Sequence, residues 1–364
     1  MQTPQKIGRE VAFLHVGSDS PRGGEGTFVR LAGGAIRFYY TRFTGSSWAD
    51  DAPADIAFIE SADEGETWSA PRITLSHSEG DCNLMCPTVL RLPDGGLGMT
   101  YIVKHGTGTA PDDVLFVRSD DEGDAWSAPV VASAQDGSYV VIENDHTIVT
   151  KAGRILIPCN LHTLPDENGV QEVMSNARMF FLASDDCGKT FYRLSDFIEP
   201  PFPPACSGTG LQETTVVEKE DGTLLAWSRT DLFCQYKSVS TDGGRSWTVP
   251  YPDRFFSAPA SPLLVKKVDG FTVAVFNPIP NYTTRISAPR TWGRTPFVLA
   301  VSTDDATSFR KAFFLEDDPE NAYCYPAVFD GGDYLLVAYY HSDGLDAALR
   351  STKIVKIEKA VLLA

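Results

Sequence analysis

The sequence predicts an all-β fold, a six-bladed β-propeller in which residues 1–364 form a single domain. One observation behind this prediction is an eight-residue Ser-x-Asp segment that occurs five times, at intervals of 58, 65, 56 and 62 residues. Each copy follows an apolar run of strand length, and almost no stretch has the periodicity of an amphipathic helix. Hairpins of the form apolar run, Asp/Gly turn, apolar run lie between the copies. A repeat of four short strands is typical of a propeller blade.

The five copies predict five tight hairpins. They read SADEGETW from Ser61, SDDEGDAW from Ser119, SDDCGKTF from Ser184, STDGGRSW from Ser240 and a decayed STDDATSF from Ser302. In such a segment the aspartate accepts hydrogen bonds from turn amides, the glycine takes a positive φ, and the aromatic residue packs between strands. We expect the aspartates of the first four copies to lie on the rim of the ring: Asp63, Asp121, Asp186 and Asp242.

A sixth blade is predicted from two segments near the C-terminus, AVFDGGDYLLVAYYH and RSTKIVKIEKA, which lack a Ser-x-Asp copy. The N-terminal run EVAFLHV has no partner strand close to it in the sequence. We expect this run to complete the last blade and close the ring, because closure leaves the propeller without a long free edge.

Composition limits the kinds of partner. The formal net charge is −17 and no basic stripe is visible, so we expect no nucleic-acid partner. No stretch approaches the length of a transmembrane helix, and the first residues lack the apolar core of a signal peptide. We therefore expect no membrane partner and favour the cytoplasm, or a secreted or periplasmic location if a leader precedes this sequence. The sequence does not predict the oligomeric state.

The seven cysteine residues are scattered, without CxxC pairs and without a matching histidine pair for zinc. We expect them to be buried free thiols. No disulfide framework is implied, which favours a reducing compartment. The sequence predicts neither a bound metal nor a cofactor.

Charged residues at the ends of predicted strands indicate a site. The segment LQETTVVEKEDGTLLAWSR reads as two strands joined by an Asp-Gly turn. Antiparallel pairing brings Glu213, just before the first strand, and Arg229, just after the second, to the same edge of the sheet. In the third blade the polar cluster Glu143–His146 interrupts two apolar runs, which predicts either a site or a satisfied loop network.

Further candidates also stand at predicted strand ends. They are Arg22, Glu25 and Arg42 in the first blade, Arg285, Arg290 and Arg294 in one long loop of the fifth, and Tyr323 and Tyr325 in the sixth.

The Ser-x-Asp segments resemble the Asp-box of sialidases, and the chain resembles the sialidase (neuraminidase) superfamily of BNR-repeat propellers over nearly its whole length. In that family an arginine triad binds the substrate carboxylate. A tyrosine polarised by a glutamate attacks the anomeric carbon, and an aspartate serves as general acid and base. A tyrosine needs such an adjacent base because its pKa is ordinarily about 10.

The resemblance implies roles for particular residues. The contexts DAPADIAF, QETTVVEKEDGTLLAWSR and YCYPAVFDGGDYLLVAYY imply that the catalytic residues are Asp51, Glu213 and Tyr325, with Tyr323 as the rival tyrosine. Arg229 and, from GRTPFVLAVS, Arg294 are implied to bind the substrate carboxylate. The other expected substrate-binding residues are Arg22, Glu25, Arg42, Asp145, His146 and Tyr323.

One position departs from the family pattern. The first triad arginine belongs to an Arg-Ile-Pro motif, whereas the corresponding stretch here, GGEGTFVRL, has Glu25 near the expected place. A glutamate there opposes a carboxylate ligand, which bears on the identity of the sugar more than on glycosidase chemistry.

The function implied is that of a retaining, sialidase-like exo-glycosidase that hydrolyses a terminal acidic sugar, sialic acid or a related one, from glycans. One alternative is a non-catalytic carbohydrate-binding propeller, motivated by the missing Arg-Ile-Pro motif. Another is a uronate-directed polysaccharide lyase, in which Glu143–His146 and Tyr325 supply base and acid. The expected partner is a glycan or an acidic monosaccharide.

Overall fold

The chain forms an all-β propeller. The structure is a computed structural model that describes residues 5–134, 136–165, 171–279, 291–345 and 349–364. Within these ranges it has 25 strands, one 3₁₀ turn at Pro204–Cys206 and one short helix, α1, at Lys359–Leu363. No helix in the described ranges is long and apolar enough to cross a bilayer. Arg285 and Arg290 lie outside the described residues.

The strands are short and follow one another through tight turns. The first fourteen are β1 Arg9–Leu14, β2 Gly23–Arg30, β3 Ile36–Phe43, β4 Ala54–Ser61, β5 Arg72–Leu75, β6 Asn83–Arg91, β7 Leu97–Lys104, β8 Asp112–Ser119, β9 Val130–Val131, β10 Tyr139–Val141, β11 Ile148–Val149, β12 Ile155–Pro165, β13 Gln171–Ser184 and β14 Tyr192–Arg193. The others are β15 Gln212–Glu218, β16 Leu224–Arg229, β17 Cys234–Ser240, β18 Tyr251–Ser257, β19 Leu264–Val268, β20 Phe271–Phe276, β21 Phe297–Ser302, β22 Lys311–Glu316, β23 Tyr323–Asp330, β24 Tyr334–His341 and β25 Ser351–Glu358.

Hydrogen bonds join the described strands into five sheets. Three have four strands each, in the orders β1-β25-β24-β23, β15-β16-β17-β18 and β19-β20-β21-β22. A fourth has five strands, because β10 and β11 both pair with β12, which continues to β13 and β14. The fifth has eight strands, β2 to β9, and consists of two antiparallel four-strand units linked by one parallel bridge between Ala54 and Asn83.

The expectation of six blades that are six separate sheets is wrong for the first two blades. Four of the sheets are single blades, whereas the strands predicted for the first two blades share one sheet. The cause is the side chain of Asn83, whose Nδ2 donates hydrogen bonds to the carbonyl oxygens of Asp50 and Ala52 at 2.8 and 2.9 Å. These bonds hold the loop before β4 against the start of β6, a contact that sequence periodicity does not reveal.

The sheet that contains β23 to β25 closes the ring. β1 pairs antiparallel with β25, so that Arg9 stands opposite Lys356 and Leu14 opposite Thr352. The N-terminal run therefore completes the last blade, as predicted, and ties residues near the start of the sequence to residues near its end.

Apolar clusters fill the space between neighbouring four-strand units. One cluster joins β3 and β4 to β24 and β25 across the closure, and a second joins the two halves of the eight-stranded sheet. Four more clusters lie between successive units around the ring. They join β8 to β12, β12 to β16, β16 to β20 and β20 to β24. Burial of this apolar surface is the main favourable free energy that holds the ring together.

The five Ser-x-Asp segments form hairpins of one geometry. In each, the serine Oγ donates a hydrogen bond to the aspartate Oδ1 at 2.7–2.8 Å. The same Oγ accepts a hydrogen bond from the backbone N–H four residues later. The decayed copy at Ser302 keeps both contacts, because Ala306 supplies the amide that a glycine supplies elsewhere.

The hairpins lie at the strand ends that point away from the charged edge described below. Ser240 pairs with Leu224 at the beginning of β16, whereas Arg229 ends that strand and pairs with Gln212 at the opposite edge. The hairpins therefore act as structural parts of the blades.

The carboxylate of Asp242 accepts hydrogen bonds from Ser240 Oγ, from the N–H groups of Arg245 and Ser246, and from Ser246 Oγ. Asp242→Ala is expected to lower the free energy of unfolding by about 1–3 kcal/mol through the loss of these bonds. Urea denaturation followed by tryptophan fluorescence measures the change.

Asp221→Ala is the matched control for this prediction. Asp221 also sits in an exposed hairpin turn, where it accepts a backbone hydrogen bond from Thr223. We expect a smaller loss of stability in this variant, and an equal loss in the two would contradict the structural role of Asp242.

Candidate active site

Bulges in the innermost strands aim single side chains at the axis of the ring. The pairing register slips at Glu25 in β2, at Cys86 in β6, at Glu213 in β15 and at Tyr325 in β23. These residues have φ values of 52°, 57°, 44° and 53°, which is the left-handed region that side chains other than glycine seldom adopt. Strained residues of this kind cluster at functional sites.

In the five-stranded sheet the innermost strand is broken altogether. β10 and β11 pair with the two ends of β12, and residues 142–147 between them leave the ladder. Asp145 takes a φ of 59° within this gap, and Glu143 turns its side chain towards the axis.

The side chains that the bulges present surround one cavity of about 580 Å³. Its walls carry carboxylates, arginines, one lysine, aromatic rings and a thiol. The polar, aromatic and thiol residues that line it are Glu25, Trp48, Asp50, Cys86, Lys104, Tyr139, Glu143, His162, Gln212, Glu213, Arg229, Trp292, Arg294 and Tyr325. A concave site with convergent polar groups of this size suits a small ligand.

Glu213, Tyr325 and Arg229 form the centre of the site. Tyr325 Oη donates a hydrogen bond to Glu213 Oε1 at 2.8 Å, and Arg229 Nη1 donates to the same oxygen at 2.5 Å. The second carboxylate oxygen, Oε2, is buried and has no hydrogen-bond partner in the described parts of the chain. The sequence-based prediction that Glu213 and Arg229 meet at one sheet edge is confirmed by this contact.

The protonation states at this centre follow from burial and charge. Burial, and then the negative charge of Glu213, raise the pKa of Tyr325 well above its ordinary value. Burial also raises the pKa of Glu213, but the charge and hydrogen bond of Arg229 outweigh it and hold that pKa below the ordinary value. At neutral pH the resting pair is therefore a neutral phenol hydrogen-bonded to a carboxylate.

Arg294 stands beside this pair. Its Nη1 donates to Cys324 Sγ at 3.1 Å and its Nη2 to the carbonyl oxygen of Ala260 at 3.3 Å. Its guanidinium carbon lies 5.5 Å from the centre of the Tyr325 ring. Arg294 and Arg229 each make fewer hydrogen bonds to described residues than their five N–H donors allow, and both line the cavity, so both keep donor capacity for a ligand.

The next wall of the cavity is an ion-pair network around Arg22. Nη2 of Arg22 donates to Glu25 Oε1 and Nη1 to Asp50 Oδ1, both at 2.5 Å, and Nε donates to Tyr340 Oη at 2.9 Å. Burial lowers the pKa of Arg22, but the charges of Glu25, Tyr340 and Asp50 raise it well above its ordinary value. Arg22 is thus fully occupied by protein groups, and Glu25, not Arg22, faces the cavity.

Glu143 is a third buried carboxylate in the wall, only 4% exposed. Its Oε1 accepts a hydrogen bond from the N–H of Asn144 at 2.8 Å. No cation pairs with it within the described residues, unlike Glu25, Asp50 and Glu213. Burial, and then repulsion from Glu213 and Glu25, raise its pKa well above the ordinary carboxyl value.

Several lining residues were missed in the sequence because their loops or strands carry no distinctive pattern. Trp48 and Trp292 stand partly exposed at the mouth. Lys104 lies 5.0 Å from the centre of the Tyr139 ring, and burial lowers the pKa of His162 to about 4, so this histidine is neutral at neutral pH. Lys104 ends β7 opposite Asn83, as Arg229 ends β16 opposite Gln212, so a charged residue at the end of a second strand is the signal that could have found it.

Asp51, the residue predicted to be the general acid and base, lies one position away from the aspartate that lines the cavity. Asp51 does not line the cavity, and its Oδ2 accepts a hydrogen bond from the N–H of Gly108 at 3.2 Å. Asp50 lines the cavity instead, because Asn83 fixes the carbonyl of that residue. Two adjacent aspartates in a turn cannot be told apart by their sequence context.

Arg42 also lies away from the cavity. It belongs to β3, the second strand of its unit, and its Nη2 donates to Asp19 Oδ2 at 2.7 Å. Asp19 holds the side chain there, so Arg42 is not among the residues that line the cavity.

The sequence placed Asp145, His146 and Tyr323 at the site, but none of them lines the cavity. Asp145 pairs with Lys266 Nζ at 2.6 Å, and His146 Nε2 contacts the carbonyl oxygen of Leu263 at 3.0 Å. Tyr323 is buried in the apolar cluster between two sheets. The bulge at Tyr325 turns that side chain inward, whereas Tyr323 keeps the regular orientation of the strand. Of the two tyrosines, Tyr325 is therefore the one that lines the cavity.

The described residues contain no group of three or more histidine, cysteine, aspartate or glutamate side chains with the arrangement of a metal site. The cavity chemistry on hand is therefore that of carboxylates, arginines and a phenol.

Several solved propellers, sialidases among them, share this fold. The chain aligns with a protein of unknown function from Dyadobacter fermentans, at a TM-score of 0.71 and 17% identity, over 96% of this chain and 99% of that one. It aligns with a Hadza microbial sialidase at 0.71 and 18%, over 97% and 69% of the two chains. A leech intramolecular trans-sialidase, complexed with 2,7-anhydro-Neu5Ac, aligns at 0.70 and 15%, over 98% and 71%. At sequence identities this low, the structural similarity shows a common fold and nothing more.

Residues 49–337 match the BNR repeat-like domain, and the chain belongs to that family. No curated protein matches the sequence.

The contrast between Glu143 and Glu25 leads to a prediction about stability. Glu143→Gln removes a buried carboxylate that lacks a cation, so the free energy of unfolding at pH 7 should rise by about 0.5–2 kcal/mol. Glu25→Gln, the matched control, leaves the buried Arg22 with one carboxylate fewer and should cost up to about 3 kcal/mol. Urea denaturation of both variants measures the two changes.

The same prediction has a pH signature. Because the pKa of Glu143 is raised on folding, the folded protein holds a proton that the unfolded chain has released, and stability falls as pH rises above the ordinary carboxyl range. Glu143→Gln should flatten this slope above the ordinary carboxyl range. An unchanged slope and an unchanged unfolding free energy would refute an unpaired Glu143.

Proposed function

We infer that the protein is a sialidase-like exo-glycosidase that hydrolyses a terminal acidic sugar from a glycan with retention of configuration. The observation that carries this proposal is the hydrogen bond of 2.8 Å between Tyr325 Oη and Glu213 Oε1 inside a cavity that also holds two arginines. A phenol beside a carboxylate base is the arrangement that a tyrosine nucleophile needs.

In the first half of the reaction, Tyr325 Oη forms a bond to the anomeric carbon while the bond from that carbon to the leaving oxygen breaks. The phenol proton passes to Glu213, and Asp50 donates a proton to the departing oxygen. Because the pKa of Tyr325 is raised, the tyrosinate does not accumulate, and its proton leaves as the new bond forms. The positive charges of Arg294 and Arg229 lower the pKa of Tyr325. The same charges stabilise negative charge that develops on the phenol oxygen during the reaction.

In the second half, water attacks the same carbon and gives a proton to Asp50. The bond from the sugar to Tyr325 Oη breaks, and the phenol recovers its proton from Glu213. Two displacements at one carbon retain its configuration. The use of a phenol instead of a carboxylate as nucleophile avoids repulsion when the sugar bears a carboxylate near the anomeric carbon.

Arg229 and Arg294 are the groups suited to the sugar carboxylate. Their guanidinium groups line the cavity and retain unused donors, and a planar fork matches the two oxygens of a carboxylate. The whole protein carries a formal charge of −17, so an anionic sugar must be attracted by this local pair against the global field.

Binding without turnover is the second candidate function. Glu25 stands in the cavity wall and keeps Arg22 from it, so the carboxylate grip has two arginines available. The lyase alternative has less support, because Glu143 faces the cavity but His146 does not.

We also infer that the ring counts six blades in one domain, with the eight-stranded sheet contributing two. The support is the set of six apolar clusters, each of which lies between two successive four-strand units.

Tyr325→Phe removes the nucleophilic oxygen but keeps the ring. We expect the variant to fold and its turnover to fall by about 10³-fold or more, the scale of losing one member of a catalytic unit. The assay is fluorophore release from aryl glycosides of N-acetylneuraminic, other nonulosonic and uronic acids. Tyr323→Phe removes a buried hydroxyl outside the cavity and should retain activity. Full activity of Tyr325→Phe would sink the proposed mechanism.

The role of Asp50 predicts a dependence on pH and leaving group. Desolvation at the cavity mouth raises the pKa of Asp50, but the charge and the hydrogen bond of Arg22 lower that pKa more. The acid form of Asp50 is therefore scarce at neutral pH. For an alkyl glycoside, kcat/KM should therefore fall as pH rises from about 4 to 8, since protonated Asp50 is lost. An aryl glycoside leaves without a proton and should give a flatter profile.

Asp50→Asn should slow the alkyl substrate by about 10²-fold or more, the scale of general acid catalysis, and affect the aryl substrate less. Asp51→Asn is the matched control and should leave both profiles unchanged. Equal effects on the two substrates would argue against Asp50 as the acid.

A further inference from the structure

Charge balance in the cavity singles out Glu143. The carboxylates around the cavity are Glu25, Asp50, Glu143 and Glu213, and the cations are Arg22, Arg229, Arg294 and Lys104. Arg22 holds Glu25 and Asp50, and Arg229 holds Glu213. In the described parts of the chain, only Glu143 among these carboxylates has no ion pair.

The geometry of Glu143 leaves one of its oxygens for a ligand. Oε1 accepts a hydrogen bond from the N–H of Asn144. The side chain lines the cavity although only 4% of the residue is exposed. A buried carboxylate without a full set of donors is costly unless a partner arrives. The position lies in the break between β10 and β11, so the backbone has given up ladder hydrogen bonds to place it there.

We propose that Glu143 is a specificity-determining residue, which accepts a hydrogen bond from an O–H or N–H donor of a bound sugar acid whose carboxylate lies at Arg229 and Arg294. This inference rests on the proposed carboxylate grip and goes beyond it by defining the opposite side of the ligand. The ligand class is a polar sugar acid with a hydroxyl or ammonium group facing the broken strand.

The inference explains why the cavity carries unsatisfied groups of both kinds. Arg229 and Arg294 line the cavity, and each guanidinium group has more N–H donors than it uses on described residues, which suits an acceptor such as a carboxylate. Glu143 is the matching acceptor on another wall. A ligand with an acceptor and a donor at separate positions satisfies both, whereas a simple apolar acid satisfies the arginines alone.

The test measures binding by titration calorimetry in the Tyr325→Phe background, so that no turnover disturbs the equilibrium. The probes are N-acetylneuraminate, D-glucuronate, 2-amino-2-deoxy-D-glucuronate and cyclohexanecarboxylate, which has a carboxylate but no other polar group. The variants are Glu143→Leu, which removes the acceptor at similar volume, and Glu143→Gln, which keeps a neutral acceptor. Asp51→Asn removes a nearby carboxylate that does not line the cavity and serves as the matched control.

Glu143→Leu should raise the Kd of the sugar acids that bind by about 10-fold, as expected for losing one hydrogen bond. It should leave the Kd of cyclohexanecarboxylate within about twofold, and Glu143→Gln should restore part of the loss, as a neutral acceptor still forms a weaker bond. A larger loss for the amino sugar acid than for D-glucuronate identifies an ammonium donor, and equal losses identify a hydroxyl.

Two results would overturn the inference. One is an unchanged Kd for every sugar acid in Glu143→Leu, and the other is the absence of binding by any sugar acid before Glu143 is changed. Binding that depends on Glu143, combined with no turnover by the protein that retains Tyr325, would overturn only the proposed reaction.

Discussion

The pairing of β1 with β25 is the contact on which the site depends. Glu25, Glu213, Arg294 and Tyr325 come from parts of the chain up to 300 residues apart, as their numbers show. They meet because the ring is closed and because an apolar cluster spans the closure between β3–β4 and β24–β25. Closure also fixes the distance across the axis, since each blade is wedged between two others and cannot tilt without opening a buried apolar interface.

Within the closed ring, the bulges decide which side chains reach the axis. A regular strand directs alternate residues to opposite faces, and an extra residue resets that alternation. The bulged residues carry left-handed backbone conformations that cost free energy at Glu25, Cys86, Glu213 and Tyr325. The unpaired Glu143 adds a further cost. The rim hairpins and the apolar clusters between blades stabilise the fold and offset these costs.

Much of the fold could be predicted from the sequence, because a hairpin repeated five times leaves a regular signal. Glu213 and Arg229 could be paired in advance, since a two-stranded antiparallel unit brings its outer ends together whatever the rest of the chain does. Tyr325 and Arg294 were found through the resemblance of their contexts to a family pattern. These positions share a strong local context.

The errors arose where the choice between neighbouring residues depends on distant contacts. Asp50 and not Asp51 faces the cavity because Asn83 holds the turn from a neighbouring unit. Glu143 and not Asp145 faces it because Lys266, on another sheet, captures Asp145. Register of this kind is fixed by tertiary contacts, and a shift of one residue reverses the direction of a side chain.

The bulges also make the chemistry of the ring interchangeable. Glu25, Cys86, Glu213 and Tyr325 occupy matching sockets in different blades, with nearly the same backbone angles, although one is a thiol, one a phenol and two are carboxylates. The backbone at such a socket is indifferent to which functional group it presents. A substitution at one blade can therefore change the functional group that the socket presents, at a cost set by the ion pairs around it, so a ring of this kind can diversify its substrates one socket at a time.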